Sequence, residues 1–301
     1  MTKRSIFLYL LGIGGLLTIV VIWYAMAFQI QSPPAFGSFN GSRALTDVQI
    51  QVAFGPRIPG SEAHARTLDW LRMELQSAGW QTRIQKDERL GHAIQNLIAY
   101  REETTPLIIL AAHYDSRIYA DRDPDLTKRT EPVPGANDGA SGVAVLLELA
   151  RSLPESTVPT WLVFFDAEDN GNIAGWDWIL GSKAFVDQLE FTPEAVVVFD
   201  MIGDSDQNIY VEGNSDPSLV EEIWASANQL GYSERFIPEQ KYSMLDDHTP
   251  FLQKGIPAID IIDFDYPYYH TTADTPDKVS EDSLQAVGET ISTWLGKQSS
   301  N

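Results

Sequence analysis

Five short apolar stretches punctuate the chain: "NLIAY" at 96–100, "PLIILAAH" at 106–113, "TWLVFFD" at 160–166, "AVVVFD" at 195–200 and "IPAIDII" at 256–262. Each has the length of a strand, and most are apolar on both faces, the pattern of central strands covered by helices on either side. Other stretches repeat their apolar residues at helical spacing. Ser61 is placed to cap one such helix, whose Leu68, Leu71 and Leu75 share a face and whose end is marked by Gly79. "SGVAVLLELARSL" and "SLVEEIWASANQL" read as further helices, of the kind that make crossover connections. The alternation predicts an α/β domain with a mostly parallel sheet and some mixed strands. No internal repeat or low-complexity segment interrupts it.

The longest apolar stretch stands apart. Residues 5–28, "SIFLYLLGIGGLLTIVVIWYAMAF", carry no charge, follow Lys3 and Arg4, and end near Trp23 and Tyr24. That is enough to cross a bilayer as a helix, with the basic side inside and aromatics at an interface. We expect an anchor in the cell membrane with the folded part outside the cytoplasm. Ala25-Met26-Ala27 also satisfies a cleavage pattern, which leaves secretion as the alternative. Residues 29–43, "QIQSPPAFGSFNGSR", read as a linker, and 44–301 as one domain.

Charge narrows the function. The 42 acidic residues outnumber the 21 basic ones, for a formal charge of -21. Such a surface repels phosphates and argues against nucleic acid, whereas cationic ligands and metal ions fit it. The absence of cysteine removes disulfides, thiolate nucleophiles and Cys-type zinc sites.

Acids and histidines gather just after the predicted strands. His113 and Asp115 follow "LIILAA", Asp166, Glu168 and Asp169 follow "WLVFF", Asp200 ends "VVVFD", and His270 comes a short loop after "AIDII". The carboxyl ends of strands in open α/β sheets form the ligand crevice, so these residues converge from distant parts of the chain. Asp138, in "PGANDGASG", joins them from a loop before a helix. Packed carboxylates must be solvated, protonated or neutralised. Two histidines and several acids without cysteine are the ligand chemistry of a catalytic Zn²⁺ or a two-metal site. "GASG" at 139–142 is not a nucleophile elbow, and glycoside hydrolysis by paired acids would leave both histidines idle.

On the segments "FGPRIPGS", "AAHYDSR", "GANDGASGVAVLLELAR", "FFDAED", "GSKAFV", "DMIGD", "DDHTPFLQKGIP" and "YHTTADT", the sequence resembles the M28 zinc peptidase family, and within it the glutaminyl-peptide cyclotransferases. The resemblance spans about residues 53–280 and implies a three-layer α/β sandwich around a mostly parallel mixed sheet. It implies Asp138, Asp169 and His270 as zinc ligands, with Asp138 bridging if two metals bind. His113 and Asp200 match the second metal's ligands in aminopeptidases. In single-zinc cyclases the position of Asp200 joins a hydrogen-bond network with that of Asp246. Glu168 matches the general acid/base. The implied substrate is a peptide or protein N-terminus, and the implied cofactor is Zn²⁺, one ion in a cyclase and two in an aminopeptidase.

Three positions depart from the cyclase pattern. Asp169 is one methylene shorter than the usual Glu, Asp260 stands where cyclases have His, and Tyr269 where they have Trp. Trp176, Trp178, Tyr266, Tyr268 and Tyr269 are an aromatic supply for a small pocket, with Trp176 and Tyr269 chosen as its walls. His248 is placed to support the site or to cap a helix, while His64 and His92 read as surface residues. The acids of "DRDPDLTKRTEP" at 121–132 read as a solvated loop. The reading is a cyclase first and an aminopeptidase second, with a non-catalytic ectodomain as the reading from another class.

Overall fold

The computed structural model describes residues 38–155 and 157–298. The expected membrane span at 5–28 lies outside them, and with it the choice between anchor and cleaved signal. Among the described residues no helix is long and apolar enough to cross a membrane. The expected linker over 29–43 ends earlier than its composition suggested. Asn40 caps helix α1 (Gly41–Ala53), its side chain accepting from the Arg43 backbone N–H. Long-range contacts explain the difference: the Phe39 ring packs on Gly288, and Arg43 pairs with the buried Glu148 carboxylate at 2.5 Å.

Helix α2 (Glu62–Ser77) starts at its expected cap, Ser61, and buries Leu68, Leu71 and Leu75 on one side. The remaining helices are α3 (Ala140–Ser152), α4 (Leu180–Asp187), α5 (Pro217–Leu230), α6 (Thr249–Gln253) and α7 (Glu281–Gln298). The strands are β1 (Gln81–Arg89), β2 (His92–Tyr100), β3 (Ile108–His113), β4 (Thr160–Phe165), β5 (Ala195–Asp200), β6 (Ile209–Glu212), β7 (Phe236–Tyr242) and β8 (Ala258–Ile262). Six of them form one sheet in the order β1-β2-β4-β3-β5-β8, and β6 pairs with β7 separately. β1, β2 and β4 run antiparallel to their neighbours in turn, while β4, β3, β5 and β8 are mutually parallel. All five apolar stretches are strands of this sheet. β1 escaped the hydrophobic pattern because it is an edge strand whose alternation carries a single aliphatic residue, Ile84.

Alternation along the strands divides the core in two. Leu97, Leu110, Leu162, Val197 and Ile259 pack with residues of α1, α2, α3, α5 and α7. Their neighbours Ile98, Ile109, Val163 and Val198 pack on the opposite face with Phe185 of α4 and Phe251 of α6. Helices therefore cover both faces, in the three-layer sandwich expected. Each of these side chains contributes about 1.5–3 kcal/mol by leaving water, so truncating one, as in Leu110→Ala, costs about 2–5 kcal/mol. The parallel run of β4, β3, β5 and β8 has one functional consequence: their carboxyl ends all open on the same edge.

Candidate active site and metal centre

That edge carries the predicted residues. His113 and Asp200 are the last residues of β3 and β5, Glu168 and Asp169 lie just beyond β4, and His270 lies in the loop after β8. Asp138 arrives from the loop before α3 and Asp246 from the loop after β7, and all seven side chains are buried. Two groups form around Asp138. Its Oδ1 lies 3.2 Å from His113 Nε2, which also lies 3.2 Å from Asp200 Oδ1. Its Oδ2 faces His270 Nε2 at 3.6 Å, and the same nitrogen lies 2.7 Å from Asp169 Oδ1. The donor atoms of each group of three lie within 4.8 Å of one another. The shorter acid at Asp169 thus comes within 4.8 Å of donors on Asp138 and His270.

Backbone conformation aims these groups. Ala167, Met201 and His270 are non-glycine residues with φ of +52°, +47° and +55°, a left-handed conformation that costs of order 1 kcal/mol or more unless the surroundings enforce it. Gly139 allows the Asp138 loop to run against the neighbouring imidazole, since a Cβ there would fall 2.6 Å from His113 Cε1. Two further acids organise the loops. Asp115 accepts from the backbone N–H of Glu168 and Asp169 and faces His113 Nδ1 at 3.4 Å. Asp274 accepts from the N–H of Asn137 and Asp138 and from the Tyr266 hydroxyl. Asp166, the first acid after β4, is structural. Its Oδ1 lies 2.7 Å from His64 Nε2 and its Oδ2 accepts from Gln95 N–H, so His64, expected at the surface, is instead buried against it.

Crowding of carboxylates governs the electrostatics. Burial, reinforced by Asp138, pushes Asp169 up to about 6, and burial with Asp246 and Asp138 nearby pushes Asp200 up to about 8. Burial also lifts Glu168 well above the usual carboxylate range; His113 opposes this, and Asp246 and Asp169 add to it. For Asp138 burial works the other way from its partners, but the hydrogen bond to His113 and the charge of His270 hold it low. His113 itself is raised despite burial, through Asp115, Asp138 and Asp200. So many acids in one place call for positive charge. Asp138 Oδ2 and Asp169 Oδ2 are buried with no hydrogen-bond partner, and both belong to the His270 group. Two carboxylates and an imidazole with orphaned oxygens fit a Zn²⁺ ion.

A cavity of about 210 Å³ opens over this group, with Trp178, Phe264, Tyr269, Met244 and Leu245 among its walls and Glu168, Asp200 and Asp246 at its polar side. Its volume falls below the ~300–1,000 Å³ of drug-sized sites, which suits one small side chain rather than an extended ligand. Trp178 stacks on the His270 ring with centroids 6.0 Å apart, and Tyr269 lies tilted against the same ring at 3.6 Å. Trp176, the tryptophan expected in this wall, does not line the cavity, and Trp178 stands there instead. Trp176 stacks on His92 at 3.5 Å and packs beside Ile94 and Leu180, while Trp178 is seated over Gly171, where any Cβ would collide with its ring. No hydrogen bond joins Asp246 to Asp200 among the described residues. His248 stands at the N-terminus of α6 without capping it through its side chain.

Comparison with known proteins bears directly on this arrangement. The peptidase family M28 model matches residues 96–295. The chain belongs to peptidase family M28. A Porphyromonas gingivalis glutaminyl cyclase matches with 35% identity and a TM-score of 0.82, over 87% of this chain and 99% of that one. A Zn-dependent exopeptidase from Parabacteroides distasonis matches with 32% identity and a TM-score of 0.81, over 87% and 99%. A leucine aminopeptidase precursor from Bacteroides thetaiotaomicron matches with 30% identity and a TM-score of 0.81, over 86% and 98%. This M28 chain therefore has the zinc exopeptidase and glutaminyl cyclase fold. Its relatives are enzymes of both kinds, and they lend no support to the non-catalytic reading.

Proposed function

We propose that this M28 enzyme is a glutaminyl-peptide cyclotransferase, closing an N-terminal Gln to pyroglutamate with release of ammonia. The observation that carries the reading is the asymmetry of the two groups around Asp138. Both unpartnered oxygens lie on the His270 side, under the small aromatic cavity, whereas His113 is already engaged by three carboxylates. That arrangement suits one metal, held by Asp138, Asp169 and His270. A Zn²⁺ bound there acts as a Lewis acid toward the substrate γ-carbonyl.

The chain's own residues do the rest. Trp178, Phe264 and Tyr269 enclose the glutamine side chain and exclude water, which would otherwise compete as nucleophile. Confinement brings the α-amine onto the side-chain carbonyl carbon of the same residue, an intramolecular attack favoured by proximity. Glu168 takes the amine proton as the ring C–N bond forms. It returns that proton to the departing nitrogen as the old C–N bond breaks, so that ammonia leaves.

Aminopeptidase action is the second reading, favoured by one observation: His113, Asp138 and Asp200 are assembled as a second complete ligand group. In it Glu168 takes a proton from water attacking the first peptide bond. Mass spectrometry of the full chain with Zn²⁺ and two peptides, one beginning with Gln and one with Leu, separates the readings. Loss of ammonia from the Gln peptide alone is the expected result; release of the first amino acid from the Leu peptide overturns it. We also place the site outside the cytoplasmic membrane, on the strength of the uncharged stretch at 5–28 behind Lys3 and Arg4. Protection of the domain from protease added to intact spheroplasts would refute that placement.

A further inference from the structure

A third group of ligand-type side chains lies beside the site, and of its members Asp246 also lines the active-site cavity. Asp246, His248 and Asp260 bring one donor atom each within 4.8 Å of one another, and none belongs to the two groups around Asp138 except by proximity. Asp260 projects from β8 on the side opposite Ile259 and Ile261, toward the layer that contains α6. His248 stands where α6 begins, and Asp246 lies in the loop that leads to it. Both His248 and Asp260 have no exposed surface.

Their polar atoms are unsatisfied. Both ring nitrogens of His248 and both carboxylate oxygens of Asp260 lack a hydrogen-bond partner. A single buried polar atom left unpaired costs about 1–3 kcal/mol, and a charged one more, so four on two adjacent buried side chains call for a partner. Asp200 and Asp247 add negative charge around Asp260, and the acid beside His248 Nε2 is Glu212. It accepts from the N–H of Asn214, Ser215 and Met244 and from the Ser215 hydroxyl.

The histidine is oriented as metal-binding histidines are. Its Nε2 faces Glu212 Oε2 at 3.2 Å, out of line for a hydrogen bond as placed, while its Nδ1 faces Asp260 Oδ2 at 3.9 Å. A carboxylate behind one ring nitrogen, with the other nitrogen turned to a further acid, is the carboxylate–histidine–metal pattern. Donors bonded at about 2.1 Å to a tetrahedral ion stand ~3.4 Å apart, so only a small closure brings Nδ1 and Oδ2 to bonding positions. One imidazole and two carboxylates without thiolate select a borderline divalent ion such as Zn²⁺ or Mn²⁺.

We propose that Asp246, His248 and Asp260 form a separate divalent-cation site, with Glu212 orienting the histidine. The ion ties the loop before α6 to the sheet. That loop supplies Met244 and Leu245 to the wall of the active-site cavity. Its occupancy therefore adjusts the cavity through Met244, Leu245 and Asp246.

The test counts metal rather than turnover. Full chain is stripped with chelator, dialysed against Zn²⁺ alone, and assayed for zinc per chain by plasma mass spectrometry, for wild type and for His248→Gln, Asp260→Asn and His270→Ala. His248→Gln and Asp260→Asn should each lose one equivalent that His270→Ala retains, and His248→Gln combined with His270→Ala should lose both. Unchanged zinc in a His248→Gln protein with native circular dichroism overturns the site and leaves protons as the neutralising charge. Should the variants not fold, anomalous diffraction at the zinc edge from wild-type crystals decides. A peak at bonding distance from His248 Nδ1 supports the site, and its absence there overturns it.

Discussion

The two groups that share Asp138 are built from the same chemistry and finished differently. Around His113 the imidazole is engaged on both nitrogens, by Asp115 on one and by Asp138 and Asp200 on the other. Around His270 two carboxylate oxygens have nothing to bond, and an aromatic cavity stands above them. In the first group the imidazole already has carboxylates on both nitrogens. The second is complete only with a cation. The two groups thus share their ligand chemistry and differ in which donors the protein already occupies.

Five substitutions test that difference, in decreasing order of effect. His270→Ala should remove the catalytic zinc and with it all measurable turnover, read by metal analysis and product formation; retained zinc at that site would dissolve the contrast between the groups. Glu168→Gln should keep the metal while turnover falls about 10²–10⁴-fold, the usual contribution of a general acid/base. His113→Asn discriminates most sharply. With one metal, zinc content stays constant and turnover falls about 10–100-fold, as for a residue that supports ligands; with two, an equivalent of zinc is lost. Trp178→Ala should mainly raise KM for a Gln peptide, by roughly 10-fold for the lost apolar wall, whereas Trp176→Ala should leave KM unchanged.

Much of this was legible from the chain alone, for identifiable reasons. β2, β3, β4, β5 and β8 carry short apolar runs buried on both faces, so they stood out, and the acids following them inherited their positions. Edge strand β1 alternates polar with polar and gave no such signal. The choice between Trp176 and Trp178 turned on contacts with Gly171 and His92, residues remote from any local pattern. His64 looked like an exposed helix residue, and only the fold brings Asp166 to it. Asp274 was visible inside the "YHTTADT" segment, yet its task of holding the Asn137–Asp138 backbone appears only once the loops meet. Linker boundaries failed for the same cause: Gly and Ser near residue 41 suggest slack chain, but Phe39 and Arg43 find partners far away.

The span of chain between the ligands also sets a timetable. His113 meets Asp200 across 87 residues, and Asp169 meets His270 across 101. The His270 group draws on residues 138, 169 and 270, so no emerging portion of the chain that stops short of residue 270 holds all three of its donors. Metal is therefore acquired by the finished fold, from whatever pool surrounds it at that moment. The compartment in which this enzyme folds, rather than the one in which it is made, decides which ion it first meets.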